Sequence, residues 1–192
     1  EPFRKAADEL TRAHRLIGMV LQFPEMFRDT AKNREWVERV LRGLYPNPVY
    51  VEFRHVSWQR PRLGDWLRQR GGELAAIDVP ELPQLFPRAF LDPGTSRVYV
   101  RLHSRVTENW NGPGKMRYDF DYPDVVLREW VNVLRAAAPR LTEVYLMFNN
   151  CQGVQAVQNA RRMAELVRAE APEFHVVDPP PPLGPRQGTL FD

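Results

Sequence analysis

Cysteine is the rarest residue type in this sequence, and lysine is also scarce. The 192 residues include one cysteine, Cys151, which excludes an internal disulfide or a multi-cysteine zinc site and is typical of a reducing compartment. We therefore expect a cytoplasmic protein. Lysine occurs only at positions 5, 32 and 115, so arginine carries nearly all of the positive charge. Arginine suits the recognition of phosphate and carboxylate groups, but a GC-rich genome would produce the same bias.

Long apolar runs are also missing. No stretch approaches the roughly 18 consecutive apolar residues of a membrane-spanning helix, and residues 1–5 lack the apolar core of a secretory signal. Apolar residues still make up 43% of the chain, which excludes a disordered polar chain and predicts a folded core. A net charge of +3 without a basic run is weak evidence for nucleic acid binding.

Short apolar runs alternate with amphipathic stretches along the chain. Strands are predicted at residues 17–23, 49–54, 73–78, 97–103 and 143–149, and helices at residues 3–15, 33–44, 61–70, 123–138 and 154–169. Most of the strand runs are continuously apolar, as in parallel strands that are buried on both faces. The order predicts an α/β fold with a parallel sheet and flanking helices. Residues 174–178 are compatible with one more short strand.

Polar side chains stand at the carboxyl end of each predicted strand. They are Gln22, Glu52, Arg54, Asp78, Arg101, His103 and Asn149. Since residues two apart on a strand share a face, we predict that all of these side chains share one face of the sheet. In a parallel barrel that face forms the mouth where ligands bind. The alternative is that arginine pairs with Glu52 and Asp78 only to brace the top of the barrel. His55 lies in a turn and is interpreted as structural.

A long loop, residues 104–122, follows the fourth predicted strand. Connections of this length are generally functional. Its aromatic and cationic side chains suit stacking on a sugar or base and binding of phosphate; they include Arg105, Asn109, Trp110, Lys115, Arg117, Tyr118 and Tyr122. The alternative is an aromatic plug on the top of the barrel. No GxGxxG, Walker, HExxH or GxSxG motif occurs; we predict no metal site, and the sequence identifies no cofactor.

Several short motifs then occur in a fixed order. They are residues 21–24 (LQFP), 51–58 (VEFRHVSW), 98–103 (VYVRLH), 108–110 (ENW), 117–119 (RYD) and 148–150 (FNN), followed by residues 155–157 (QAV) and 159–160 (NA). Together they resemble the YecE-like family, barrels of unknown function in which a histidine usually stands at the position of Cys151. The resemblance implies a partial (β/α)8 TIM barrel with five to six parallel strands, because the family's first three strand–helix units are absent here. With these units missing, we expect one of three arrangements: a further N-terminal segment supplies the strands, another chain completes the barrel, or the remaining elements re-pair.

The first functional hypothesis is an enzyme, an isomerase or a hydrolase/nuclease that acts on a sugar, a sugar phosphate or the sugar of a nucleic acid. Glu52 would be the general acid or base and His103 the second proton carrier, with Asp78 orienting His103. An anionic group would bind to Arg54 and Arg101, and a hydroxyl to Asn149. The remaining ligand-binding residues would be Gln22, Asn109, Trp110, Arg117 and Tyr118.

The second hypothesis is a non-catalytic factor in DNA metabolism. We divide the chain into a barrel portion, residues 1–178, and a proline-rich linker with a tail peptide, residues 179–192. The tail pattern Gln187-x-x-Leu190-Phe191 resembles the peptide by which bacterial repair proteins bind the sliding clamp. Leu190 and Phe191 would fill an apolar pocket, and the Gln187 amide would hydrogen-bond at its rim. The alternative is that Leu190 and Phe191 pack on the protein's own barrel.

Overall fold

The computed structural model describes residues 2–108, 110, 117–150 and 152–178. Within these residues the chain forms five α-helices and six β-strands. The helices are α1 (Pro2–Arg12), α2 (Ala31–Leu44), α3 (Leu63–Arg68), α4 (Asp124–Ala137) and α5 (Gln155–Glu170). The strands are β1 (Met19–Gln22), β2 (Val49–Glu52), β3 (Gly72–Leu74), β4 (Ala76–Asp78), β5 (Arg97–Leu102) and β6 (Glu143–Phe148). None of these helices is long and apolar enough to cross a bilayer.

The strands pair in parallel. β1, β2 and β3 form one sheet in that order, and β4, β5 and β6 form a second. Leu74 in β3 pairs with Val51, and Ala76 in β4 pairs with Val100. Between them, Ala75 donates its backbone N–H to the Val51 carbonyl at 2.9 Å, so β3 and β4 are successive halves of one segment that joins the two sheets. The prediction of an α/β fold with five to six parallel strands and flanking helices is confirmed.

Several predicted element boundaries differ from the structure, and two of the helix starts differ for identifiable local reasons. Helix α2 begins before Asn33, because Thr30 is its N-cap and accepts a hydrogen bond from the Asn33 backbone N–H at 3.2 Å, which satisfies one of the unpaired N–H groups of the first turn. Helix α3 begins later than residue 61, because Arg62 has a φ of 60°, a left-handed conformation that no helix contains. Residues 174–178 form no strand in the described part of the chain.

The two faces of the sheet differ in character. On the helix face, Val51 and Val100 are fully buried and belong to apolar clusters that also contain Leu41 of α2 and Leu127 of α4. Burying side chains of this size stabilises the fold by about 1.5–3 kcal/mol each. The opposite face, which we call the mouth face, carries Tyr50, Glu52, Tyr99 and Arg101, since these residues alternate with Val51 and Val100. Tyr50 and Tyr99 stack with their ring centroids 4.7 Å apart.

The outer strands leave two edges of the sheet unpaired within the described residues. β1 pairs only with β2, and β6 pairs only with β5. A groove of about 1070 Å³ runs beside β6, between α4, α5 and residues 173–177. We call it the β6 groove. Its walls are largely apolar and include Val144, Leu146, Met163, Val167 and Val176.

Candidate functional site

Glu52 lies at the centre of a cluster of charged side chains on the mouth face. It is the last residue of β2, and its side chain is fully buried. Its Oε1 accepts a hydrogen bond from Arg54 Nε at 2.8 Å and lies 3.2 Å from His103 Nε2. Its Oε2 accepts from Arg101 Nη1 at 2.5 Å. Three of the predicted mouth residues therefore converge on one carboxylate.

The protonation states in this cluster follow from the competition between burial and charge. Burial alone would raise the pKa of Glu52, but the hydrogen bond with His103 and the nearby arginine charges outweigh it and lower that pKa to about 2. Burial lowers the pKa of His103 below 6.5, and this outweighs the attraction of Glu52. At neutral pH the cluster therefore contains an ionised carboxylate and a neutral imidazole.

Arg101 connects the ends of neighbouring strands. Its Nη1 also donates to Gln22 Oε1 at 2.7 Å, and its Nη2 donates to Asn149 Oδ1 at 3.1 Å. Asn149 Nδ2 lies 3.2 Å from His103 Nδ1. The Arg101 side chain is 15% exposed, whereas that of Glu52 is 0% exposed, so Arg101 carries positive charge at the open side of the cluster.

Residues of the long loop cover the cluster from above. Arg54 Nη1 donates to the Tyr118 hydroxyl at 3.4 Å, and the Tyr118 and His103 rings lie 5.9 Å apart. Two guanidinium groups lie near the Trp110 ring, with Arg54 6.0 Å and Arg117 5.0 Å from its centroid. The structure thus brings three of the predicted loop residues, Trp110, Arg117 and Tyr118, to the mouth.

Glu25 holds this cover in place and was not identified from the sequence. Its Oε1 accepts a hydrogen bond from Trp110 Nε1 at 2.8 Å and lies 3.6 Å from Arg117 Nη1. Arg117 Nε in turn donates to the Trp110 carbonyl at 2.7 Å. The only sequence signal was the position of Glu25 three residues after the end of β1, at the same edge of the sheet as the mouth.

Asp78 does not belong to the mouth, so the prediction that it shares this face and orients His103 is wrong. Strand pairing aligns Asp78 with Leu102, which faces the helices. The Asp78 carboxylate accepts hydrogen bonds from Arg105 Nε at 2.9 Å and Nη2 at 2.8 Å, and from Trp130 Nε1 of α4. The reason is strand register. The last residue of β4 pairs with Leu102, whose side chain faces the helices, and not with Arg101, whose side chain faces the mouth.

His55 has the structural position expected of it. Its Nδ1 accepts a hydrogen bond from the Ser57 backbone N–H at 3.0 Å, which caps the 3-10 turn Val56–Trp58. The predicted site residues Asn109, Gln187, Leu190 and Phe191 lie outside the described residues, as do Lys115 and Cys151. Within the described residues, no group of three His, Cys, Asp or Glu side chains could hold a metal ion.

Residues 1–185 match the family model described as "Protein of unknown function DUF72". The chain belongs to the DUF72 family. A curated relative, UPF0759 protein YunF of Bacillus subtilis strain 168, is 24% identical over 202 residues, which cover 100% of this chain and 68% of YunF.

Solved DUF72 structures share the fold. A DUF72 family protein from Thermotoga maritima MSB8 superposes with a TM-score of 0.78 at 33% identity, over 87% of this chain and 64% of that protein. One from Enterococcus faecalis V583 has a TM-score of 0.76 at 21% identity, over 93% of this chain and 67% of the other. The chain therefore spans just under two thirds of the length of the Thermotoga protein. These matches agree with the expectation of a partial TIM-like fold in a family of unknown function.

Proposed function

We propose that the mouth of this DUF72 protein is an active site that acts on an anionic sugar, either a sugar phosphate or the sugar of a nucleic acid, by proton transfer at His103. The observation that carries the proposal is the pairing of a buried, neutral His103 with an ionised Glu52 at 3.2 Å. A histidine held by a carboxylate is a common arrangement for a general base, since the carboxylate orients the ring and stabilises the imidazolium that forms.

The charge of the cluster favours an anionic ligand. Arg54 and Arg101 each contribute one positive charge, Glu52 contributes one negative charge, and His103 is neutral, so the cluster carries a net charge of about +1. Arginine binds phosphate through several charge-assisted hydrogen bonds. Arg101 would supply this contact because it is the more exposed of the two guanidinium groups.

The geometry changes the roles expected from the sequence. A carboxyl with a pKa of about 2 stays ionised at neutral pH and is a poor proton acceptor there. We therefore assign the proton transfer to His103 and the orientation of His103 to Glu52, in place of Asp78. Trp110 and Tyr118 would contact the sugar, since an aromatic ring and a hydroxyl above the arginines offer both stacking and hydrogen bonding.

A binding screen followed by an exchange assay tests the proposal. Thermal stabilisation is measured with sugar phosphates, with the same sugars unphosphorylated, and with short single-stranded oligonucleotides. We expect the phosphorylated ligands alone to stabilise the protein, and Arg101→Gln to weaken their binding at least about tenfold. Arg135→Gln is the matched control, because Arg135 pairs with Glu173 on the surface, away from the mouth.

Proton transfer is then followed by NMR as exchange of ligand carbon-bound protons in D2O, or as release of product. His103→Gln should abolish the reaction while it leaves ligand binding within about threefold. Equal stabilisation by phosphorylated and neutral sugars would contradict the anion-binding role. A His103→Gln variant that retains the wild-type rate would contradict the assignment of the base.

A second proposal rests on the sequence pattern at residues 187–191. Gln187, Leu190 and Phe191 would dock the protein on the bacterial sliding clamp, and the mouth would then face DNA. The test is a titration of purified clamp with a peptide of residues 185–192. Saturable binding that is lost in the Leu190→Ala, Phe191→Ala double variant supports docking, and undiminished binding by the double variant excludes it.

A further inference from the structure

An unbroken row of hydrogen-bonding groups crosses the mouth from Arg101 to Glu52. Arg101 Nη2 contacts Asn149 Oδ1 at 3.1 Å, and Asn149 Nδ2 contacts His103 Nδ1 at 3.2 Å. On its other side, His103 Nε2 lies 3.2 Å from Glu52 Oε1. The two ends of this row have fixed hydrogen-bonding roles, since a guanidinium only donates and an ionised carboxylate only accepts.

The Glu52 end determines one nitrogen of the imidazole. Glu52 is ionised, because its pKa is lowered to about 2 by His103, Arg54 and Arg101 against the effect of burial. Its Oε1 can only accept, so the contact with His103 Nε2 is a hydrogen bond when Nε2 carries the proton. With the proton absent, two lone pairs would face each other at 3.2 Å between side chains that have no exposed surface.

The Arg101 end determines the other nitrogen independently. Because Arg101 donates, the Asn149 side chain must turn its oxygen toward Arg101 and its NH2 group toward His103. His103 Nδ1 must then accept, which requires that it carry no proton. Backbone hydrogen bonds fix the two partners in place: Asn149 N–H donates to the Leu102 carbonyl at 2.7 Å, and His103 N–H donates to the Asp78 carbonyl at 3.0 Å.

We propose that Asn149 is a positioning residue that, together with Glu52, fixes the neutral His103 with its proton on Nε2 and its basic nitrogen, Nδ1, on the Asn149 amide. For Nδ1 to take a proton in the function proposed above, a ligand must displace that amide contact, whereas the tautomer itself does not rest on that function. This positioning role differs from the ligand-binding role that the sequence predicted for Asn149, because both ends of its amide contact side chains of the protein.

The other groups that face His103 are compatible with this tautomer. Arg54 Nη2 lies 3.4 Å from His103 Nε2, farther than the Glu52 oxygen at 3.2 Å, so the nearer and negatively charged group at Nε2 is a hydrogen-bond acceptor. Arg54 and Arg101 both lower the pKa of His103, and Glu52 raises it. The Tyr118 ring packs beside the imidazole at 5.9 Å. His103 therefore stays neutral, and the tautomer is decided by Glu52 and Asn149.

Nitrogen NMR of the 15N-histidine-labelled protein tests the proposal without any ligand. The spectrum assigns a protonated and an unprotonated ring nitrogen, and His103→Gln identifies the signals. We expect wild-type His103 to carry its proton on Nε2. In Asn149→Asp, the new carboxylate faces Nδ1 and can only accept, so the imidazolium is stabilised between two carboxylates and its proton affinity should rise at least about tenfold.

Gln22→Glu is the matched control, because residue 22 contacts the other terminal nitrogen of Arg101, Nη1, whereas Asn149 contacts Nη2. It should raise the proton affinity of His103 by clearly less than Asn149→Asp does. Asn149→Ser, whose hydroxyl can donate to Nδ1, should keep the wild-type tautomer and decides the matter if the aspartate variant does not fold. A wild-type proton on Nδ1, or equal shifts in Asn149→Asp and Gln22→Glu, would overturn the proposal. If His103 carries its proton on Nε2 but the protein shows no turnover, only the proposed function is contradicted.

Discussion

Glu52 at the end of β2 and Asp78 at the end of β4 are both fully buried carboxylates, yet Glu52 lies on the mouth face and Asp78 on the helix face. Glu52 faces the mouth and binds Arg54, Arg101 and His103. Asp78 faces α4 and binds Arg105 and Trp130. The fold therefore uses the same chemical group for a candidate site on the mouth face and for a structural brace on the helix face, which makes the two roles separable by mutation.

Glu52→Gln should destabilise the protein by about 3 kcal/mol or more, because it leaves the buried Arg54 and the largely buried Arg101 without their counter-charge. The free energy of unfolding is measured by urea denaturation at pH 7. Glu35→Gln, on the exposed face of α2, is the control and should change the free energy by less than about 0.5 kcal/mol. A Glu52→Gln variant as stable as the control would mean that the cluster is not a paired charge network.

The stability that depends on Glu52 should be lost in acid. Its folded pKa of about 2 lies below the ordinary value of 4.5, so ionised Glu52 stabilises the folded state above pH 4.5, and this contribution falls as the pH drops toward 2. Urea denaturation from pH 7 to pH 3 should show the gap between wild type and Glu52→Gln narrowing below pH 4.5. A gap that stays constant over this range would contradict the lowered pKa.

His103 should add a second pH dependence at milder acidity. Its folded pKa lies below 6.5, so the unfolded state binds more protons than the folded state as the pH falls below 6.5, and stability decreases with it. Wild type should lose more stability between pH 7 and pH 5 than His103→Gln, in which this group is absent. The comparison cancels the contribution of His55, whose pKa is also lowered, chiefly by burial. Parallel curves for the two proteins would show that His103 does not titrate abnormally.

Asp78→Asn should reduce stability without reducing ligand affinity. The substitution removes the charge that pairs with Arg105, whose side chain is 10% exposed, and we expect a loss of about 3 kcal/mol in the free energy of unfolding. Glu129→Gln removes the exposed partner of the same arginine and should cost less than about 1 kcal/mol. Ligand affinity, measured by calorimetry at a temperature where both variants are folded, should match wild type. A loss of ligand affinity in Asp78→Asn but not in Glu129→Gln would mean that Asp78 belongs to the candidate site.

The unpaired edge of β6 and the β6 groove predict association with further polypeptide. Apolar grooves and free strand edges are common sites of protein contact. We expect sedimentation velocity of residues 1–192 to show a mass that rises with concentration, and Val176→Glu, at the wall of the groove, to suppress the rise. Val125→Glu, at an exposed position of α4, is the control. A monomer at all concentrations, or equal behaviour of the two variants, would contradict self-association through this groove.

The parallel strands and the meeting of most mouth residues could be predicted from the sequence, because parallel strands bring their carboxyl ends to one edge whatever their detailed pairing. This rule and the alternation of side chains along a strand were enough to predict the positions of Glu52, Arg101 and His103. Asp78 needed the register between β4 and β5, which no pattern of polar and apolar residues contains. A shift of one residue moves a side chain to the other face, so a count made from the strand end placed Asp78 on the wrong face.

Residues that act through loops were beyond prediction for a different reason. Glu25 contacts Trp110, 85 positions away along the chain, and nothing in either neighbourhood indicates the other. The division of roles between Glu52 and His103 also required the structure, because a pKa depends on how much water each group has lost and which charges replace it. Sequence reasoning assigned the proton transfer to Glu52 first, whereas burial beside two arginines favours His103.

β3 and β4 lie on one continuous segment, so local unfolding of one sheet should promote unfolding of the other. The first half of this segment, residues 72–78, hydrogen-bonds to β2 and its second half to β5. If either β2 or β5 moves away, part of these seven residues loses its backbone hydrogen-bond partners. Partial unfolding of one side would therefore expose unpaired backbone groups on the other, which is costly in a buried strand. Amide hydrogens of β2 and β5 should consequently exchange with solvent at similar, slow rates, although they belong to separate sheets.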